Sequence, residues 1–208
     1  MTSESEFSFN QAIDFKPLTV EADESVIDVV NLLSQTKASC VLVVERQKLI
    51  GIYTERDVVR MTAKRQEFSH LDIADVMSKK IISVTASQIN DIFTVLNLMR
   101  KHEIRHLPVL NELHQPIGIV TPKTIRKIFK PTDMLRCRLV CELMETGVIQ
   151  ASPDTTVLDV AQLMAKNKVS CVVITEVDTN SNIYPVGILT EVDIVRLRAR
   201  ERDFDSTP

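Results

Sequence analysis

A seven-residue stretch that occurs three times constrains the fold of this chain more than any other feature. The copies occupy Gly51–Asp57, Gly118–Thr124 and Gly187–Asp193, so their glycines are 67 and then 69 residues apart. A fixed period of this length indicates a duplicated structural unit. Two copies end in Asp and the middle copy ends in Thr. We therefore expect three similar folding units whose chemistry differs.

Each repeat predicts the same order of elements, which is strand, helix, strand, strand and helix. Apolar residues recur at helical spacing in the predicted helices, and β-branched runs bounded by turn residues mark the strands. The predicted strands are 18–20, 39–44 and 49–53 in the first repeat, 82–84, 106–110 and 117–120 in the second, and 148–150, 170–175 and 186–189 in the third. Such an α/β (α+β) unit of about sixty residues is at the lower size limit for an independent core, so we expect the units to pack in pairs.

The composition excludes several classes of function. The chain has 208 residues, a formal net charge of -3 and a pI of about 5.8, so it has no basic surplus for nucleic acid binding. No apolar run reaches the length of a membrane span, and the first residues are acidic and polar rather than a signal peptide. The sequence therefore predicts a soluble, cytoplasmic protein that binds neither membranes nor nucleic acids.

The four cysteines are best interpreted as structural. Cys40 and Cys171 occupy the same position in their repeats, each inside an apolar run, where a reduced cysteine is a common small core residue. Cys137 and Cys141 are four residues apart on a predicted helix, but no second ligand pair with zinc-like spacing accompanies them. We expect all four to serve packing rather than redox or metal chemistry.

Neither a metal site nor catalysis has support in the sequence. His102 and His106 are four residues apart, but the predicted break between helix and strand falls between them. The chain has no P-loop, no dinucleotide fingerprint and no nucleophile motif, and three of its four glycines are the repeat glycines. We predict no enzyme activity, no bound metal and no required cofactor.

A threonine followed three residues later by an aspartate opens the last helix of the first and third repeats. The pairs are Thr54 with Asp57 and Thr190 with Asp193. This spacing matches a capping box, which needs no ligand. A carboxylate at a helix start can also accept hydrogen bonds from the two neighbouring hydroxyls of a ribose, while the free N–H groups and the helix dipole attract phosphate. Both interpretations stay open.

The second repeat helps to separate these two interpretations. It keeps Thr121, places Pro122 at the first helical position and has Thr124 where the other repeats have the acid. Proline favours a helix start, so we expect this helix to begin without a carboxylate. The comparison favours ligand binding as the role of the acid in the other repeats, with relaxed packing as the alternative.

The residues that approach and end the repeats resemble a known family. The approach Ile73-Ala74-Asp75-Val76-Met77-Ser78 and the ending Gly-Ile-X-Thr-Glu-X-Asp resemble CBS motifs, named after cystathionine β-synthase. Residues 140–144 resemble the same approach, and the likeness covers about residues 15 to 200. The resemblance implies tandem motifs of the form β-α-β-β-α, paired into a pseudo-twofold Bateman module. Such modules commonly bind adenine nucleotides or related adenosyl ligands and associate further.

The resemblance also implies where a ligand would lie. The adenine would rest against the strand that precedes the glycine, and the threonine and aspartate would hold ribose and phosphate. The implied binding residues are Ser39, Cys40, Val41, Thr54 and Asp57 in the first repeat and Ser170, Cys171, Val172, Thr190 and Asp193 in the third. The second repeat carries cations instead, and we hypothesise that Arg105, His106, Lys123 and Arg126 contact phosphates across the cleft. The alternative is that these are solvated surface charges, which is favoured for Lys127.

The sequence predicts four segments along the chain. They are an N-terminal tail or linker strand at 1–14, a first motif at 15–68, a second at 69–130, and a linker with a third motif, unpaired within the chain, at 131–208. This arrangement is similar to the N-terminal sensory region of bacterial, and particularly cyanobacterial, signal-transduction proteins. The unpaired third motif leads us to expect either a fragment of a longer protein or a homodimer.

The expected function is therefore a regulatory sensor. It would bind AMP, ADP or ATP and bias an output domain or a downstream partner protein. One alternative is a structural dimerisation scaffold without a ligand. Another is a sensor of S-adenosylmethionine or a different adenosyl ligand.

Overall fold

The computed structural model of this chain describes residues 9–88, 92–128, 140–142 and 144–200. Cys137, the tail at 1–8 and the last residues, 201–208, lie outside the described part. The described residues form three three-stranded sheets, one in each repeat. The predicted order of strand, helix, strand, strand and helix is confirmed in all three repeats.

The strands are β1 Thr19–Glu21, β2 Cys40–Glu45, β3 Lys48–Thr54, β4 Val84–Thr85, β5 Leu107–Leu110, β6 Pro116–Val120, β7 Gln150–Ala151, β8 Cys171–Val177 and β9 Ile183–Thr190. The α-helices are α1 Val26–Thr36, α2 Glu55–Ala63, α3 Ile73–Val76, α4 Ile92–Lys101, α5 Pro122–Ile128, α6 Val157–Asn167 and α7 Glu191–Arg200. The first strand of each sheet pairs in parallel with the second. In the second and third sheets the last strand pairs antiparallel with the middle strand.

The observed strand ends differ from the predicted ends in two places. The first strands of the second and third repeats begin two residues later than predicted, because each forms only two parallel pairs with its neighbour. In the third repeat the hairpin strands extend to Val177 and from Ile183, beyond the predicted ends. The Oδ1 atom of Asp178 accepts hydrogen bonds from the N–H groups of Asn180 and Asn182, both at 2.8 Å. This short turn allows the strands to continue further than the polar sequence indicated.

The chain divides into two compact units that do not follow the repeat boundaries. The first unit comprises Met1–Ala22, Val41–Ile52 and Ser78–Glu142, which is the second repeat with strands of the first. Its hydrophobic core contains Ala12, Ile13, Val84, Ile92, Val95, Met99, Leu107, Val109 and Val120. The second unit comprises Asp23–Cys40, Tyr53–Met77 and Leu143–Pro208, which is the third repeat with helices of the first. The predicted segment boundaries stay predictions.

Within the first unit, hydrogen bonds join the first repeat to the second. The backbone groups of Ile52 and Ser78 exchange two hydrogen bonds at 3.1 and 2.9 Å, and those of Asp14 and Ile119 do the same at 2.9 and 3.0 Å. At the hairpin ends, the Leu49 N–H donates to the His114 carbonyl at 3.1 Å. The predicted pairing of these two repeats is therefore confirmed.

Within the second unit, the helices of the third repeat pack against helices of the first. Helix α1 contacts α7, and α2 contacts both α6 and α7. Val59 of α2 is buried together with Val160, Ala161, Met164, Val172 and Ile194 of the third repeat. None of the helices in the described ranges has the length and apolarity required to cross a membrane.

The third sheet is covered on one face only. Val172 and Leu189 point into the helical core, so the alternation of side chains places Val173 and Ile188 on the opposite face. On this side Ile188 is exposed. The middle strands of the other two sheets, in contrast, are buried over nearly their whole length.

Candidate functional site

The start of α2 in the first repeat forms the predicted capping box. Thr54 is the N-cap, and the Oδ2 atom of Asp57 accepts hydrogen bonds from the Thr54 N–H at 2.8 Å and from the Thr54 hydroxyl at 2.7 Å. The guanidinium of Arg60, one turn later, donates to the other carboxylate oxygen, Oδ1. One oxygen of Asp57 therefore serves the helix start, and the second faces an arginine.

The start of α7 in the third repeat has the same geometry. The Oδ2 atom of Asp193 accepts from the Thr190 N–H at 2.9 Å and from the Thr190 hydroxyl at 2.6 Å. The Arg196 guanidinium lies 3.4 Å from Asp193 Oδ1. Sequence reasoning missed Arg60 and Arg196, although both stand three residues after the aspartate in the sequence. This shared spacing could have identified both arginines from the sequence.

The second repeat forms its helix cap without a carboxylate. The Thr124 hydroxyl oxygen accepts from the Thr121 N–H at 2.9 Å, and the Thr121 hydroxyl oxygen accepts from the Thr124 N–H at 3.3 Å. A hydroxyl at this position therefore satisfies the same backbone donor that the carboxylate satisfies in the other repeats. The helix start does not require a negative charge, so capping alone does not account for the two aspartates.

The residue before the middle strand of the first and third sheets contacts the start of the last helix of its repeat. The N–H of Glu55 donates to the Ser39 carbonyl at 3.2 Å, and the N–H of Glu191 donates to the Ser170 carbonyl at 3.0 Å. Cys171 also lies directly opposite Thr190 in the sheet. The structure thus brings Ser39 and Cys40 to the start of α2, and Ser170 and Cys171 to the start of α7.

The two valines of the predicted sites do not present side chains to a ligand. Val41 and Val172 follow the cysteines in their strands, and both side chains are completely buried in the protein. A ligand at either site would meet these positions only through backbone groups.

The candidate sites of the first and third repeats differ in burial. Asp57 is only 4% exposed, and this burial raises the pKa of its carboxyl above the ordinary value, against the opposing effects of Thr54 and Arg60. The side chain of Asp193 is 42% exposed. The site of the third repeat is therefore the more accessible to solvent.

The cysteines show the same difference. Cys40 is buried as predicted, and burial raises the pKa of its thiol to about 12, so this thiol is unreactive at neutral pH. The prediction that Cys171 is buried was wrong, since it is exposed. The physical reason is that its strand belongs to the sheet with an uncovered face. Cys141 is also exposed, on a short 3-10 helix at Val140–Glu142.

An ion pair that the sequence did not indicate joins the two helix starts. The Nε atom of Arg56, near the start of α2, lies 3.5 Å from an Oε atom of Glu191, the first residue of α7. Glu191 is buried, whereas Arg56 is partly exposed. The corresponding residues of the other repeats, Lys123 and Val192, differ from Arg56, so comparison of the copies gave no signal.

The contact of the second repeat's cations with ligand phosphates stays a prediction. Arg105 and His106 are half-buried just before β5, while Lys123, Arg126 and Lys127 are exposed on α5. These residues belong to the first unit and Asp57 to the second. In the part of the chain that the structure describes, no group of three or more His, Cys, Asp or Glu side chains is placed to hold a metal ion.

Comparison with known families matches all three repeats. The family profile described as CBS domain covers residues 12–64, 73–130 and 140–200. Among curated proteins, homoserine O-acetyltransferase of Methanococcoides burtonii is 30% identical over 129 residues, which are 62% of this chain and 24% of that enzyme. The chain covers 24% and 46% of the length of the first two curated relatives it matches.

Two solved structures have a similar fold. Protein MJ1225 of Methanocaldococcus jannaschii, proposed as an archaeal homologue of γ-AMPK, has a TM-score of 0.79 at 20% identity, covering 94% of this chain and 73% of that one. The CBS domain pair of MJ0100, solved in complex with 5-methylthioadenosine and S-adenosyl-L-methionine, has a TM-score of 0.52 at 22% identity, covering 59% of this chain and 98% of that one. At these identities the likeness shows the fold.

Proposed function

We propose, from the premise that this chain belongs to the CBS-domain family, that it is a regulatory module that binds an adenosine-containing ligand at the starts of α2 and α7. Ligand binding would shift the orientation of the motifs and thereby bias an output domain or partner protein. The module would act in signal transduction in the cytoplasm as a homodimer, with regulation rather than catalysis as its role.

The observation that carries this proposal is the cap of the second repeat. Thr124 forms the cap with a neutral hydroxyl, whereas Asp57 and Asp193 place a charge at the same position. The second oxygen of each carboxylate, Oδ1, takes no part in the cap and faces an arginine, Arg60 or Arg196, whose side chain is about half exposed. A ribose diol can take the place of this arginine, because its two hydroxyls can donate to the carboxylate in charge-assisted hydrogen bonds.

Adenine nucleotides are the ligands that the local charges favour. Each aspartate is followed by an arginine whose side chain is about half exposed, Arg60 on α2 and Arg196 on α7. These guanidinium groups can turn toward a phosphate next to a helix start, where the dipole also favours an anion. S-adenosylmethionine and 5-methylthioadenosine, the ligands of the MJ0100 pair, share the ribose but lack the phosphates. They form the alternative ligand class.

Ligand-dependent thermal unfolding tests the proposal. We expect AMP, ADP or ATP to raise the melting temperature of the wild type, since a ligand at 100 times its dissociation constant stabilises by about 2.7 kcal/mol. Asp57→Thr and Asp193→Thr copy the cap of the second repeat, so without ligand each should change the free energy of unfolding by less than about 1 kcal/mol. Each should weaken binding at its site by about 10- to 100-fold, because a charge-assisted hydrogen bond contributes about 1.5–3 kcal/mol.

The chain offers a matched control for these substitutions. Thr156 and Asp159 form another threonine–aspartate box at the start of α6, with 2.6 Å between the Thr156 hydroxyl and Asp159 Oδ2. Asp159→Thr should leave ligand binding unchanged. Equal affinity in the wild type and both site variants would assign the aspartates to capping alone. A wild type that no adenosyl ligand stabilises would instead favour the structural scaffold.

The exposed thiol of Cys171 gives an independent measurement of occupancy. With Cys137 and Cys141 replaced by Ser, Cys171 is the accessible thiol next to Thr190, whereas Cys40 is buried. We expect a saturating nucleotide to slow maleimide labelling of Cys171 by about tenfold or more, because the ligand covers the thiol. The same labelling rate with and without ligand would contradict binding at the third repeat.

A further inference from the structure

The last strand of the third sheet presents an unused backbone edge. Strand β9 is an edge strand, and Ile188 lies opposite Val173 of β8. The Val173 N–H donates away from β9, to the Ile149 carbonyl at 3.1 Å. In an antiparallel pair, two residues directly opposite each other point their backbone N–H and C=O groups either both toward the other strand or both away from it. The N–H and C=O of Ile188 therefore point outward, and its side chain is 61% exposed.

The equivalent edges of the first two sheets are occupied. Ile52 follows the repeat glycine in the first repeat, as Ile188 does in the third, and it exchanges both backbone hydrogen bonds with Ser78. Ile119 is the equivalent residue of the second repeat, and it exchanges both with Asp14. In the described part of the chain no isolated bridge of this kind forms at Ile188.

Each occupying residue comes from the segment that precedes the other repeat. Ser78 lies six residues before β4 and covers the first repeat, while Asp14 lies five residues before β1 and covers the second. The equivalent residue of the third repeat is Glu145, five residues before β7. It follows Met144 as Ser78 follows Met77. Met144 is 54% exposed, so among the described residues nothing covers the edge or the segment of the third repeat.

The repeat glycines show how closely such a segment approaches. A Cβ atom at Gly118 would overlap the Ile13 side chain and lie 3.2 Å from the Asp14 carbonyl oxygen. A Cβ atom at Gly187 would meet only Ile174 of its own sheet, at 3.8 Å. The third repeat thus retains the small residue that admits a segment, although no described segment of the chain lies against it.

We propose that two copies of this chain associate through their third repeats. Residues 144–145 of one copy pair with Gly187 and Ile188 of the second copy, and the reverse contact forms by twofold symmetry. A second copy is the fitting occupant because the two halves of the contact are both present and both uncovered on one repeat, which makes the surface self-complementary. The mode is strand addition to an open edge, with the exposed side chain of Ile188 buried beside it.

This inference rests on the proposed homodimer but is independent of nucleotide binding. Sedimentation over a range of protein concentrations tests it first. Ile188→Asp places a charge on the contact and should raise the dimer dissociation constant by about tenfold or more. Gly187→Val should do the same, because its side chain stands where Met144 of the second copy would approach, whereas its Cβ atom has ordinary contacts within one copy. Phe93→Asp is the control, because Phe93 in α4 is equally exposed, at 63%, and lies outside the contact.

Disulfide trapping tests the register. Backbone-paired residues in antiparallel strands have Cα atoms about 5.5 Å apart, which a disulfide can span. With Cys137, Cys141 and Cys171 replaced by Ser, the double variant Glu145→Cys, Ile188→Cys should form a covalent dimer under mild oxidation. Neither single variant should do so at a comparable rate.

The possible results distinguish the proposal of this contact surface from the more general proposal of a homodimer. A wild type that sediments as a monomer at all concentrations overturns both proposals. A wild type that dimerises, with Ile188→Asp and Gly187→Val dimerising equally well and no crosslink in the double variant, overturns this surface alone. Loss of the dimer in Phe93→Asp to the same extent as in Ile188→Asp also contradicts the assignment to this edge.

Discussion

At the residue scale, the third residue after the capping threonine allows the role of helix capping to be distinguished from the role of ligand binding. The third residue after the capping threonine is Asp57, Thr124 or Asp193, and each accepts a hydrogen bond from the N–H of that threonine. The sequence alone left capping and ligand binding as alternatives for the two acids. The structure shows that the acids do cap their helices and that a hydroxyl can do so as well. The carboxylates thus have a property, their charge, that the cap does not use.

Asp57 should give the stability of the protein a specific pH dependence. Burial raises its pKa above 3.8, so the folded protein holds the proton more tightly than the unfolded chain. The stability that Asp57 contributes is therefore fully present below pH 3.8 and is lost as the pH rises through the folded-state pKa. Urea unfolding at several pH values should show the wild type losing stability relative to Asp57→Thr as the pH rises across this window.

The matched comparison for this prediction is Asp193→Thr. Asp193 occupies the same position in its repeat but its side chain is partly exposed, so solvent screens its charge. Asp193→Thr, measured at the same pH values, is the control for replacing a capping carboxylate that is not buried. Identical pH profiles for the two variants would show that the burial of Asp57 does not govern its protonation.

At the element scale, the periodic patterns determined what could be predicted. The helices formed where the apolar periodicity predicted them, and the strands of the first two repeats were predicted to within two residues of their ends, because the local pattern decides the type of element. The residues around Thr54 and Thr190 were also brought together as expected. The partners of each element could not be predicted in the same way. The pattern shows that Val59 is buried, but not that it is buried against the third repeat.

The exposure of Cys171 shows the same limit. Its surroundings in the sequence are as apolar as those of Cys40, and the two strands have similar patterns. Whether such a strand is covered on both faces depends on which other element packs there, and that information lies far away in the sequence. The ion pair of Arg56 with Glu191 is likewise a product of packing between helices of different repeats.

The repeat glycines should respond differently to the same substitution. Gly118→Ala should lower the free energy of unfolding by about 1–3 kcal/mol, since the new Cβ atom overlaps Ile13 and crowds the Asp14 backbone. Gly187→Ala should be neutral or stabilising by up to about 1 kcal/mol, because its Cβ atom has ordinary contacts and alanine restricts the unfolded chain. Chemical denaturation at low protein concentration measures both. Equal destabilisation would mean that the edge at Ile119 is not closely covered.

At the scale of the whole molecule, the units of sequence and the units of packing do not coincide. The first repeat gives strands to one compact unit and helices to the other, and both β2 and β3 cross between the units along the chain. The third repeat completes its core with Val59 of the first repeat. A repeat in this chain is therefore a unit of duplication rather than a unit of stability.

The isolated third repeat should consequently fail to fold. A fragment of residues 140–208 lacks α1 and α2, which pack on α6 and α7 in the whole chain. Each apolar side chain left uncovered forfeits about 1.5–3 kcal/mol, which a unit of this size cannot lose. Circular dichroism should show little helix and no cooperative thermal transition, whereas the whole chain melts cooperatively. Native-like helix content with a sharp transition in the fragment would contradict this.

The hydroxyl cap of Thr124 also has a consequence for how duplicated repeats can come to differ in function. The helix start forms with a neutral residue in the second repeat. Under the proposed ligand role of the aspartates, a duplicated copy would lose its ligand by a single replacement and still fold, so the number of ligands bound could vary while the architecture stays constant. Replacing or restoring the aspartate in one repeat at a time would then change the number of sites without changing the fold.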